Sequence, residues 1–223
     1  MPDPLIDPEP LIDIARREGV DHLTAYFAPG AYTGQWFETF AAGGDPHRIA
    51  AEDLYAVEAL SVQVPFAVGR ELLEGQLGRD LGALLEKIPT GAELGTEGAD
   101  ELVADHGPAY QAWHLLKSRN ERGEKTGVGR VIAGKLLARK RPKLIPVYDA
   151  VVSCQFGEPD HVWLKLHAQL ADGELRTALA RARATVGVDD QVSILRALDV
   201  ILWRRHVKDH RKTGCPKRGS APL

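Results

Sequence analysis

Apolar residues recur at helical spacing along most of the chain, and this pattern predicts a protein built from helices. In the segment 49–61 an apolar stripe faces one way and three acidic residues face the other. The segment 70–88 repeats leucine at similar spacing, but glycines interrupt it, so it predicts two short helices. Further helices are predicted in segments 11–17, 98–119 (with a break at Gly107–Pro108), 148–154, 160–170, 175–186 and 192–207.

Segments with strand character are few and short, namely 59–65 and 144–147. The balance of patterns therefore predicts an all-α fold. We expect one helical domain over residues 11–207, either undivided or split into two lobes by a cleft. An extended arm is expected at residues 1–10 and a basic, flexible tail at residues 208–223.

The bulk composition excludes several classes of protein. Hydrophobic residues make up 44% and charged residues 26% of the chain, a balance that argues against extensive disorder. No apolar run reaches the roughly 18–20 residues that cross a bilayer, and the N-terminus lacks the pattern of a secretion signal. A cytoplasmic protein is therefore expected.

Cysteine and histidine positions predict no metal site and no cofactor. Cys154 and Cys215 are far apart in the sequence, which favours neither a disulfide framework nor a metal site. Histidines that lack ligand spacing to an acidic residue or a cysteine are His106, His114, His161 and His167.

The net charge of −3 conceals two basic blocks in an otherwise acidic chain. Residues 117–143 carry 10 basic and 2 acidic side chains, and residues 204–223 carry 7 basic and 1 acidic. Residues 1–110, in contrast, carry only 6 basic but 20 acidic side chains. Two separate basic blocks predict an anionic partner at a local surface. A solvated helix face and a frayed tail would give the same composition, so charge alone leaves both interpretations open.

The segment 125–138 joins two glycines to the start of a helix and carries the main functional prediction. Gly127 and Gly129 permit a tight turn and let a phosphate approach the backbone closely. The amides of the turn and of the following helix N-terminus form a ready anion site. Val128 is expected to anchor the turn in the core, and Ala133 to let the two helices pack closely.

This segment resembles the helix-hairpin-helix motif of DNA repair proteins, polymerases and ligases. The resemblance extends to residue 152. In helix-hairpin-helix DNA glycosylases the motif is followed by a Pro-Val-Asp-like turn and another helix, and Pro146–Asp149 corresponds to that turn here. Asp149 lies 20 residues after Gly129, close to where that family places its essential aspartate. The resemblance implies binding of a DNA backbone and excision of a base, with Asp149 as the catalytic residue.

The sequence also departs from the glycosylase pattern. Bifunctional glycosylases carry a lysine nucleophile two positions after the second glycine, where this chain has Val131, so a lysine-based lyase is not implied. Tyr148 separates Val147 from Asp149, and no cluster of four cysteines is present to hold an iron–sulfur cluster. The segments 135–142 and 145–149 also resemble an uncharacterised actinobacterial family, which implies no function.

Together these features predict a DNA-binding helix-hairpin-helix protein that contacts phosphates along the minor groove. The sharper hypothesis is a monofunctional DNA glycosylase-like enzyme that uses Asp149 on a base turned out of the stack. Tyr148 and Trp36 are candidates for the pocket of that base. The candidate nucleic-acid-binding residues are Lys125, Gly127, Val128, Gly129, Arg130, Lys135 and Arg139.

Each functional interpretation has a structural alternative. The glycine turn could simply connect two packed helices, and Asp149 could cap a helix that begins at Ala150. Tyr148 and the aromatic residues of segment 31–40 could belong to the core. A non-catalytic DNA-binding or scaffold protein is therefore the main rival, and docking of the basic patch on an acidic protein surface is a third possibility.

Overall fold

The computed structural model describes residues 8–117, 126–156, 161–188 and 190–214, and the regular elements in these ranges are all helical. The predicted all-α fold is therefore confirmed for this part of the chain. A short 3₁₀ helix at Thr33–Trp36 lies between the first two α-helices. The α-helices are α1 Pro8–Phe27, α2 Ala51–Glu58, α3 Phe66–Leu73, α4 Gln76–Leu85, α5 Ala99–Val103, α6 Pro108–Leu116, α7 Arg130–Lys140, α8 Ala150–Phe156, α9 Val162–Ala171, α10 Glu174–Val186 and α11 Ile194–Thr213.

Two predicted interruptions of the helical pattern are confirmed. Gly75 is the N-cap of α4 and separates it from α3 inside the leucine-rich segment 70–88. Gly107 is the N-cap of α6, and Pro108 is its first residue. Proline suits that position because the first amides of a helix have no partner within the helix.

Several predicted boundaries are wrong. Helix α1 begins at Pro8, inside the expected arm, and continues well beyond residue 17. Helix α11 continues to Thr213, so the chain does not become flexible at residue 208. Its last turn is basic, and positive charge there favours the helix because the C-terminal end of the dipole is negative. Residues 1–7 and 215–223 lie outside the described residues.

The two strand candidates are also wrong. Residues 59–65 and 144–147 form turns and irregular chain, although Leu144, Ile145 and Val147 are buried. The apolar residues of segment 59–65 are only partly buried against the core, and no neighbouring strand pairs with either segment in the described ranges.

The helices pack around one continuous hydrophobic core. Helix α1 lies against α10 and α11, and α8 packs on α11. Helix α7 lies against α2 and α6, and α6 also contacts α4 and α5. Helices α7, α8 and α11 together position the residues of the candidate site.

Candidate functional site

The chain makes an exposed turn at two glycines before α7 begins. Gly127 has a φ of +84°, and a Cβ there would lie 3.0 Å from Pro65 Cγ, so a larger residue would be strained. Val128 is buried and anchors the turn, whereas Gly127 and Gly129 are exposed. A helical hydrogen bond runs from the Ala133 amide to the Gly129 carbonyl at 3.1 Å, and the amides that precede it point out of the helix end.

Two cations and a tryptophan flank this helix start. Arg130 is exposed, and its carbonyl accepts a hydrogen bond from Trp113 Nε1 at 3.2 Å. The Lys117 ammonium lies 3.1 Å from the centre of the Trp113 ring. Partial burial, and secondarily the Arg130 charge, lower the pKa of Lys117, and an anion bound beside both cations would relieve their repulsion. Lys125, the other predicted cation of the turn, lies outside the described residues.

Lys135 lies inside the protein, so its predicted place on the phosphate-binding surface is wrong. Its side chain is buried, and Nζ donates to the Leu60 carbonyl at 2.8 Å. Burial lowers the pKa of Lys135, while the carboxylates of Asp149 and Asp199 oppose that shift. The amino group of Lys135 therefore lies at an internal site and not on the surface.

Arg139 is wrong as a phosphate-binding residue for the same reason. Its Nε pairs with Asp53 at 3.1 Å, and its Nη1 donates to two backbone carbonyls of the chain before α2 at 2.6 and 2.8 Å. Lys140 pairs with the same carboxylate, and Arg141 is only 1% exposed. Arg139, Lys140 and Arg141, all from the basic block 117–143, thus make their contacts inside the protein.

Asp149 is held at the start of α8 by the cap geometry that the sequence allows. Its Oδ1 accepts hydrogen bonds from the amides of Val151 at 2.9 Å and Val152 at 3.1 Å. The residue is half-buried and lines a cavity that Lys135 also lines. The cap fixes the carboxylate at the border of this cavity.

The cavity has a volume of about 410 Å³ and is lined by parts of α1, α7, α8 and α11 and by the turn after α2. Tyr26 and Tyr32 stack in one wall with ring centroids 4.9 Å apart, and Trp203 meets Tyr32 edge-on at 5.6 Å. Val131, from the first turn of α7, lines it too. Aromatic walls and several charged side chains in a space of this size suit a flat, polar small-molecule ligand or base.

A buried ionic network lies against this cavity. Arg196 is 4% exposed, pairs with Glu38 at 2.9 Å and with Asp199, and donates to Tyr26 Oη at 2.8 Å. Burial, together with the nearby Asp149 carboxylate, raises the pKa of Asp199 to about 7 against the lowering effect of Arg196. Burial likewise raises the pKa of Glu38. A carboxyl that titrates near neutral pH can hold or release a proton at the cavity.

The Asp199 carboxyl makes stability depend on pH near neutrality. Its folded-state pKa of about 7 exceeds the ordinary value of 3.8, so its stabilising contribution is full below pH 4 and is lost as the pH rises through 7. Between pH 6 and pH 8 we expect the free energy of unfolding of the native protein to fall by about 1 kcal/mol more than that of Asp199→Asn. Urea unfolding of both proteins at both pH values measures this, and equal losses would contradict it.

Trp36 and Tyr148, which the sequence suggested for a base pocket, do not line this cavity. Trp36 is 58% exposed and is the last residue of the 3₁₀ helix Thr33–Trp36. Tyr148 is half-buried and packs against Phe156 with ring centroids 6.0 Å apart. Of the aromatic group in segment 31–40, Tyr32 reaches the cavity.

Sequence reasoning missed four residues of the site, and one signal in the sequence could have found three of them. Asp199 follows Arg196 by three residues, and Trp203 follows Asp199 by four. The three side chains therefore share one face of α11. Two charged residues in a helical segment that is otherwise apolar from 194 to 203 indicate an internal polar site. Tyr26, from the other end of the chain, carries no such signal.

A larger cavity of about 530 Å³ shares no lining residue with the first. Its wall includes Glu38, Arg139 and Lys143 but neither the glycine turn nor Asp149. Since Arg139 is committed to Asp53 and to backbone carbonyls, we place the candidate site at the smaller, aromatic cavity.

Comparison with known proteins places the chain in a family. It matches the family described as a family of unknown function (DUF6308) over residues 19–206, so the chain belongs to that family. The comparisons with curated proteins and with solved structures give no significant match. Among the described helices, none combines the length and the apolar character that crossing a bilayer requires.

Proposed function

We propose that this protein binds the sugar–phosphate backbone of DNA at the turn before α7, with α6 and α7 acting as a helix-hairpin-helix. The exposed glycines, the outward-pointing amides of α7 and the exposed Arg130 support this. Backbone amides at a helix start and the positive end of its dipole both favour a phosphate. The close packing of α6 on α7 and the complete burial of Ala133 are compatible with such a hairpin.

The observation that carries the finer proposal is that α7 contributes to both the turn and the cavity. Arg130 begins the exposed end of α7, and the next residue, Val131, lines the cavity together with Asp149. A nucleotide whose phosphate is bound at the turn therefore has an aromatic-walled space close by. We infer that this space receives a base turned out of the stack, held against Tyr32 and Trp203.

The proposed reaction is hydrolysis of the bond between base and deoxyribose. Water adds its oxygen to the sugar carbon C1′, the carbon–nitrogen bond breaks, and its electron pair leaves with the base, which takes up a proton. The Asp149 carboxylate would activate the water or stabilise the positive charge that develops on the sugar. Asp199 lines the same cavity and, with its pKa near neutrality, is a proton source for the departing base.

A DNA-binding protein without this chemistry is the second candidate. The observation in its favour is that Asp149 Oδ1 already accepts two backbone hydrogen bonds as the cap of α8. A residue retained only as a cap would need no catalytic role. In that case the turn would still bind phosphates, and the cavity would hold no reacting base.

Salt dependence of binding tests the role of the turn. Replacing Arg130 by glutamine should weaken duplex binding and reduce the slope of log affinity against log salt concentration by about 1, because one phosphate contact is lost. Arg17→Gln is the matched control, since Arg17 is an exposed arginine on α1 that pairs with Asp13 at 3.3 Å. Fluorescence anisotropy at several salt concentrations measures both slopes. Identical slopes for the two variants would contradict a phosphate contact at Arg130.

A further inference from the structure

Three side chains with metal-ligand chemistry meet where α8 packs on α11. His206 and His210 are one helical turn apart on α11, so their imidazoles lie on one face, and Cys154 faces them from α8. His206 Nε2 lies 3.3 Å from Cys154 Sγ, and the two imidazole rings lie 5.8 Å apart. One ligand atom from each residue falls within 4.8 Å of the other two.

These separations are close to those of a tetrahedral metal site. With zinc–sulfur bonds of about 2.3 Å and zinc–nitrogen bonds of about 2.0 Å, neighbouring ligand atoms are roughly 3.3–3.6 Å apart. The His206–Cys154 pair already has this spacing. The His210 ligand atom lies within 4.8 Å of the other two, so it must come closer by up to roughly 1.5 Å to complete the set.

The two helices hold the ligands in place without a metal ion. Gln155, the neighbour of Cys154, donates from Nε2 to the Leu202 carbonyl of α11 at 2.8 Å. Val152 and Phe156 bury the other side of α8 in the core. All three ligand residues are half-buried, so they are partly desolvated and still reachable from solvent. A preorganised site of this kind binds a metal without a large cost in ordering the chain.

We propose that Cys154, His206 and His210 together bind one Zn²⁺ ion. A thiolate and two imidazoles are ligands for a borderline-soft transition metal, whereas Mg²⁺ and Ca²⁺ prefer oxygen. Three protein ligands leave the fourth tetrahedral position to water. The ion ties α8 to α11, and it lies at the edge of the aromatic cavity because His210 is also part of the cavity wall.

The proposal does not depend on DNA binding. The ligand set is defined by the packing of α8 on α11, and none of its members belongs to the glycine turn. Its alternative is a Cys154–His206 hydrogen bond with no role in metal binding, for which 3.3 Å is also a suitable distance.

Titration of the metal-free full chain with Co²⁺ alone tests the proposal. Co²⁺ reports a tetrahedral thiolate site by its visible absorption and by a sulfur-to-metal charge-transfer band, and Zn²⁺ should displace it at one equivalent. Cys154→Ser should abolish the charge-transfer band. His206→Gln and His210→Gln should each weaken the affinity by more than about 100-fold, since loss of a direct ligand exceeds the 10–100-fold cost of losing an outer-shell partner.

Two control variants keep the test specific. Cys215→Ser removes the other cysteine of the chain, and His114→Gln removes a histidine that packs against Trp113 with ring centroids 5.2 Å apart. Both should retain the Co²⁺ spectrum of the native protein, and circular dichroism of every metal-free variant should show native helicity. A native protein without the tetrahedral spectrum, or a spectrum that survives Cys154→Ser, would overturn the proposal.

Discussion

Replacing Arg196 by methionine is expected to lower the free energy of unfolding by about 3–5 kcal/mol, since it leaves buried charges unpaired. The guanidinium joins the carboxylates of Glu38 and Asp199 and donates to Tyr26 Oη and to the Gly34 carbonyl. Methionine has a similar volume but supplies no donor, so these groups keep the cost of burial and lose their partner. Arg196→Lys, which retains the charge without the planar fork, should lose an intermediate amount.

Urea unfolding with circular dichroism measures this effect, and Arg205→Met is the matched control. Arg205 lies on the same helix, is exposed, and pairs with Glu18 at 3.3 Å. A surface ion pair contributes at most about 1 kcal/mol. The account of the cavity as a polar site held by Arg196 is wrong if the two methionine variants unfold with the same free energy.

Replacing Asp149 by asparagine is expected to reduce the rate of base release by about 10²–10⁴-fold, the usual contribution of a positioned acid or base. Asparagine caps a helix as well as aspartate does, so α8 and the stability of the protein should be preserved. Duplex affinity should also stay within about twofold, because Asp149 is not part of the glycine turn that we propose binds phosphate. The variant thereby separates the chemistry of the carboxylate from its role as a cap.

The measurement is release of the base from a panel of duplexes that each carry one alkylated, deaminated or oxidised base. Asp149→Ala serves as the second variant, because it removes both the carboxylate and the cap and should cost about 1 kcal/mol of stability. Release by the native protein that persists in Asp149→Asn would rule out the carboxylate as the catalyst. No release from any duplex by the native protein would favour the non-catalytic candidate.

The sequence predicted the helices well where local chemistry decides the structure. Gly75 and Gly107 interrupt the pattern at the positions where the structure ends one helix and starts another. The start of α1 and the end of α11 were missed because proline is tolerated in a first helical turn and a basic run is tolerated in a last one. Neither residue type therefore marks a boundary at those places.

The candidate site was less predictable because its residues come from distant parts of the chain. Counting charges in segment 117–143 cannot show that Arg139 pairs with Asp53, 86 residues away. Nor can it show that Tyr26 and Arg196, 170 residues apart, form one hydrogen bond. His206 and His210 are four residues apart, but the predicted helix ended at residue 207, so His210 was expected in the tail. Cys154 joins the two histidines only through the packing of α8 on α11.

Binding to two DNA duplexes, compared by fluorescence anisotropy at low and at physiological salt, tests the central claim most directly. One duplex is intact, and the other carries an abasic-site analogue at its centre. The account predicts salt-dependent binding to both, with tighter binding to the abasic duplex, because its flexible backbone places a phosphate at the turn and leaves the cavity open. No binding to either duplex at low salt would contradict the claim and leave the glycine turn as a connection between packed helices.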